Sequence, residues 1–191
     1  MKHLALFVVL WTVGVVSRAA PPPAAQPASL PVIGHGALQW SRPAGWDYTP
    51  PRVDPSGKAP LSFRLQGPGA RPTLLVTVMW DGFGTNALKP TLERLEAELK
   101  HVATNDFLGH SLEKTVTVRT IETPSLRARY ATFTDAALSG KPLPAGETRN
   151  ATLGAFRTGV LWGRFMLMTN DADGEEFRAA LHVIQSLRAA P

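Results

Sequence analysis

Apolar and polar residues alternate strictly over Leu61-Ser62-Phe63-Arg64-Leu65, the period of a strand with one buried face. Ala37 to Trp40 is a shorter strand candidate, followed by a turn through Pro43, Gly45 and Trp46. Thr73 to Trp80 differs, with Leu74, Val76 and Val78 on one face and Leu75, Thr77 and Met79 on the other, which predicts a central strand covered on both sides. Val160 to Thr169 has the same character. Thr115 to Glu122 and Leu126 to Thr134 predict two strands joined by a tight turn at Thr123-Pro124-Ser125, and Thr152 to Thr158 predicts a further one.

Two stretches change period. Leu88, Leu92, Leu95, Leu99 and Val102 recur at the four-and-three spacing of one helical face, with Glu93, Arg94, Glu96, Glu98 and Lys100 around the rest. Pro90 fits only the first turn, so this helix is expected to start between Asn86 and Lys89. Near the C-terminus Phe177, Leu181, Ile184 and Leu187 share a stripe, and Asp173 with Glu176 has the spacing of a capping box. The order of strands, helix, strands and helix predicts an α+β domain with a mainly antiparallel sheet and two principal helices.

The first residues follow another rule. Lys2 precedes an apolar run from Leu4 to Val16, broken only by Thr12 and Gly14, and Ser17-Arg18-Ala19 supplies small residues for cleavage. That run is too short for the roughly twenty residues of a membrane span. Residues 1–19 are therefore expected to be a signal peptide, giving a periplasmic or extracellular protein with no membrane span in the mature chain. Five prolines between Ala20 and Pro31 predict a Pro/Ala-rich linker over 20–35, leaving a single domain over 36–190.

Two parts of this layout carry a resemblance. Leu38-Gln39-Trp40-x-x-Pro43-x-Gly45-Trp46 ahead of an alternating strand, and the closing Phe177-x-x-x-Leu181-x-x-Ile184-x-x-Leu187, resemble exported bacterial proteins of the PsbP-like superfamily. That superfamily is named after an extrinsic subunit of photosystem II and shares its α/β/α sandwich with a nuclear-import factor that binds Ran. The similarity runs through most of residues 36–189 in element order. It implies an α/β/α sandwich and a non-enzymatic role in binding or assembly. No catalytic motif is common to the superfamily, so no residue role carries over. The leader and the proline-rich loop from Thr49 to Pro60 depart from the photosynthetic members, and a photosystem role is not implied.

Composition narrows the classes. The chain has 191 residues and no cysteine, which excludes thiol catalysis and sulfur-ligated zinc. Its 20 basic residues less Lys2 and Arg18 leave 18 against 15 acidic ones, a net charge of +3. That excess is too small for a nucleic-acid binder, and no nucleic-acid partner or cofactor is expected.

Candidate chemistry is sparse. Ser111-Leu112-Glu113-Lys114 matches the Ser-x-x-Lys pattern in which lysine takes a proton from serine, but its Ser-Asp-Asn and Lys-Thr-Gly companions are absent and the segment precedes a strand. His35, His101, His110 and His182 show no metal-binding spacing, although His110 with Asp106 has the makings of an acid/base pair. The acidic run Asp171 to Glu176 lacks the remaining ligands of a calcium loop and suits a helix start. Asn150-Ala151-Thr152 is a glycosylation sequon only in a eukaryotic secretory route. Symmetric pairing about the turn at Thr123 to Ser125 places Thr117, Arg119, Arg127 and Arg129 on one face, with Arg119 nearly opposite Arg129. The chain is accordingly expected to be a non-enzymatic binding or assembly-accessory protein whose partner is an unknown protein or an anionic ligand. The alternatives are a hydrolase with a site built from distant loops, with Ser111 and Lys114 as candidates, and an anion-binding protein using Arg119, Arg127 and Arg129.

Overall fold

The computed structural model describes residues 25–191 except 53, 55–58, 69–71 and 84–88. The expected signal peptide, and Leu88 of the first helical stripe, lie outside the described residues. Among the described residues ten strands and two principal α-helices form an α+β fold whose sheets are antiparallel. Seven strands make the larger sheet: β3 (Asp47–Thr49), β4 (Leu61–Gln66), β5 (Thr73–Trp80), β9 (Leu161–Thr169), β8 (Asn150–Thr158), β7 (Arg127–Thr134) and β6 (Arg119–Glu122), in that spatial order. β1 (Gln26–Pro31), β2 (Ala37–Arg42) and β10 (Arg188–Ala190) make the smaller one, with β2 in the middle.

Alternation sorts the side chains into two cores. On one face Phe63, Leu65, Val76, Phe156 and Leu167 meet Leu38 and Trp40 of β2 and the stripe Phe177, Ala180, Ile184 and Leu187 of and just beyond α2 (Glu175–Gln185). Trp40 lies flat on Phe63, ring centroids 4.6 Å apart, and Tyr48 closes on both. Burial pushes the Tyr48 phenol pKa up. On the opposite face Leu99 of α1 (Leu92–Val102) and Ala103 pack on Ala131, Phe133 and Leu153 of β7 and β8.

Several boundaries differ from the sequence expectation, for local reasons. Residues 26–31, expected within the linker, form β1, with Leu30 and Val32 buried. Its prolines at 27 and 31 are tolerated because β1 is an edge strand and only one side is paired. α1 begins after Pro90: Thr91 is its cap, the side-chain oxygen accepting a hydrogen bond from Arg94 N at 3.3 Å. α2 starts after Gly174 with no side-chain cap, so Asp173 and Glu176 make no capping box; Asp171 accepts from Asp173 N instead. That backbone donor, first among several, holds the Asp171 carboxyl below its usual range. β8 and β9 are joined by a two-residue loop, Gly159-Val160, in which Gly159 takes φ +57°.

Candidate functional site

α1 packs chiefly on β7 and β8. β5 is the third strand of the larger sheet, yet Leu75 on its α1 face is 41% exposed, which corrects the expectation that both faces of this strand are covered. Between the helix and the uncovered sheet runs a crevice of about 210 Å³, walled by Leu95, Leu99 and Val102 above and Leu75, Leu153 and Met166 below. Met166 also lines a second hollow of about 190 Å³ beside Phe107, Phe133 and Met168. The helical path makes room for it. After Val102 the chain widens into a π-helical turn over Ala103–Phe107 and tightens into a 3₁₀ turn over Leu108–His110.

Arginines and glutamates pair along α1 and the strands beneath it, Glu98 and Arg164 at the crevice itself. Arg164 on β9 donates from Nη2 to Glu98 Oε2 at 2.6 Å, and Arg94 Nε lies 3.9 Å from Glu98 Oε1. Arg129 on β7 meets Glu96 at 3.3 Å and Glu122 at 3.5 Å, while Lys100 Nζ reaches Glu96 at 2.7 Å. Lys100 first, with Arg129, holds the Glu96 carboxyl below the usual carboxylate range. Glu93 is held low by its own backbone N–H and the Thr91 hydroxyl, with smaller contributions from Arg129 and Arg127.

Of the three arginines expected on one face, the structure brings two together. Thr123 and Leu126 exchange backbone hydrogen bonds, so the loop is the two residues Pro124-Ser125 and the pairs are Glu122 with Arg127, Thr120 with Arg129 and Arg119 with Tyr130. A slip of one residue from the symmetric three-residue turn sends Arg119 to the opposite face, corresponding to Ala128 and Tyr130. Arg127 stands opposite Arg157 of β8. Arg157 grips Asp81, whereas Arg127 has no ion pair among the described residues. Both border a polar hollow of about 580 Å³ with Thr91 and Glu93.

The other candidates are placed as follows. Asp106, His110 and Ser111 line the second hollow, but Lys114 does not. The Ser111 hydroxyl is 3.3 Å from Leu108 O and 3.2 Å from Glu113 O, and makes no hydrogen bond to Lys114 or His110. His35 stacks on Trp80 at 5.3 Å, and His101 contacts Asn105. Asn150 is buried and accepts from the Thr134 hydroxyl at 3.0 Å, so the folded chain does not offer it for glycosylation. Among the described residues no cluster of three or more His, Asp or Glu side chains is placed to hold a metal, and no helix is long and apolar enough to cross a membrane.

The crevice was missed in the sequence because it depends on which strands α1 covers, a non-local fact. Leu75 was its one visible sign, an apolar residue on the face of β5 opposite Leu74, Val76 and Val78.

No protein-family model matches the chain, and no curated protein sequence matches it. In fold it is similar to a crystal structure of a protein from Bacteroides thetaiotaomicron, with a TM-score of 0.46 and 14% sequence identity, over 81% of this chain and 45% of that one. The chain thus spans less than half the length of that protein.

Proposed function

We propose that the protein is an exported, non-enzymatic binding protein of PsbP-like architecture that holds its ligand in the crevice beneath α1. One observation carries this: an apolar wall that includes Leu75 at 41% exposure lies open beside Leu95, Leu99 and Met166 on an inner strand of the larger sheet. Open, concave apolar surface with few polar groups at its edge suits a ligand. Export is supported by Lys2, the apolar run and Ser17-Arg18-Ala19. The architecture is supported by the element order and by the burial of Leu38, Trp40 and Trp46, the residues that carry the resemblance.

Nile red, a neutral dye that brightens in apolar surroundings, tests the site. Its fluorescence is expected to rise with the protein and to lose most of that rise in Val102→Phe, which fills the crevice. Esterase, peptidase, β-lactam and phosphatase substrates are expected to turn over no faster than with heat-denatured protein. Turnover that Ser111→Ala abolishes would overturn the proposal.

A second reading, anion binding at the arginine face, is favoured by Arg127, which stands opposite Arg157 and, unlike it, has no ion pair among the described residues. It requires binding of inorganic phosphate that weakens steeply with salt and is lost in Arg127→Glu.

A further inference from the structure

Resting on the crevice as the binding site, we propose that its ligand is an aliphatic carboxylate, the carboxylate on Arg164 and the chain laid across Leu75 and Met166 beneath α1. The walls impose the chain. Leu75, Leu95, Leu99, Val102, Leu153 and Met166 offer only carbon and sulfur, and the Thr77 hydroxyl among them is already bonded to Ser62 at 2.9 Å. A ligand with polar groups along its length would leave them unsatisfied, so polarity belongs at one end.

The mouth imposes the sign of that end. Arg164 uses one nitrogen, Nη2, on Glu98, and a guanidinium has five N–H donors in a planar fork, so Nε and Nη1 remain for a second carboxylate. Arg94 shares the same glutamate at 3.9 Å. Arg64, opposite Leu75 in the β4–β5 register, has no ion pair among the described residues. Two arginines therefore share one glutamate, with the unpaired Arg64 across the strand from Leu75, and the complement of that positive excess is an anion.

Volume sets the length. At about 210 Å³ the crevice has room for a short aliphatic tail. Arg164, Met166 and Met168 succeed one another on the same face of β9 at intervals of about 6.6 Å, so a chain leaving Arg164 runs along the strand toward the second hollow.

Displacement of Nile red by octanoate and by 1-octanol separates the charge from the chain. Octanoate is expected to displace the dye at about tenfold lower concentration, equivalent to about 1.4 kcal/mol. Arg164→Met should bring the two ligands to parity when each displacement is scaled to that variant's own dye affinity. Glu98→Gln, which frees the guanidinium, should tighten octanoate and leave octanol unchanged, so the proposal stays testable if Arg164→Met does not fold. Parity in the unmodified protein, with dye binding still sensitive to Val102→Phe, would sink the carboxylate and leave the crevice standing. Dye binding indifferent to Val102→Phe would sink both.

Discussion

Arg157 on β8 holds Asp81, the residue after β5, in a two-pronged grip, Nη1 to Oδ1 at 3.1 Å and Nη2 to Oδ2 at 2.9 Å. β9 lies between those strands, so the pair reaches across it from Arg157, which stands opposite Trp162. Nη1 also donates to Pro90 O at 3.2 Å, which ties the approach to α1 to the same guanidinium. Asp81→Ala removes the carboxylate from a part-buried arginine. The expected loss is about 1.5 to 3 kcal/mol, a drop of about 3 to 12 °C in Tm by calorimetry.

Acid should weaken the contact between α1 and β7 through Glu96. Its folded pKa lies below the ordinary value of 4.5, so its contribution is full above that value and is lost as pH falls through the folded pKa. Glu96 is 29% exposed, which limits the contribution to under about 1 kcal/mol. Urea unfolding between pH 6 and pH 3 checks this, and Glu96→Gln should fall less steeply with acid than the unmodified protein.

Gly163 on β9 admits no side chain. A Cβ there would collide with the Thr77 carbonyl oxygen on β5 and lie 2.7 Å from the Phe156 ring, and the carbonyl belongs to a ladder that cannot retreat. Gly163→Ala is expected to cost about 3 kcal/mol, the upper end of ordinary overpacking. Gly140→Ala, at φ +69° with open space around it, should cost about 1 to 2 kcal/mol from backbone strain alone. Equal unfolding midpoints for the two variants would refute the distinction.

Within Ser111-Leu112-Glu113-Lys114 the glutamate carries the structural load. Glu113 accepts from Thr134 N at 2.8 Å and from the Thr134 hydroxyl at 3.0 Å, closing the end of β7 against Asn150. Glu113→Ala is expected to lose about 1 to 3 kcal/mol. Lys114→Ala, at an exposed position with no ion pair among the described residues, should stay within about 0.5 kcal/mol. Thermal unfolding of the two variants side by side checks the order.

What could be read from the chain was what local pattern decides. The apolar run of β5 matched Thr73–Trp80 to the residue, and of the stripe Phe177, Leu181, Ile184 and Leu187 all are buried except Leu181, which is half-buried at its edge. β1 hid behind Pro27 and Pro31, which argue against a strand until its place at a sheet edge is known. β10 is three residues long, too short to show a period. The arginine face was half legible: Arg127 and Arg129 share a side, but the position of Arg119 depended on one residue of turn length between Thr123 and Leu126. The crevice needed knowledge of which strands α1 leaves bare.

The small sheet sets a clock on folding. Its middle strand draws one neighbour from each end of the described chain, Leu30 pairing with Leu38 and Ala189 with the same Leu38 from about 150 positions away. Closing so long a loop is entropically slow, and it waits until residues 188–190 have been made. Until then Leu38 and the α2 side of the larger sheet lack their full cover, so a nascent chain presents sticky surface that a chaperone can hold. Trimming the final strand would prolong that interval and turn a transient exposure into a permanent one.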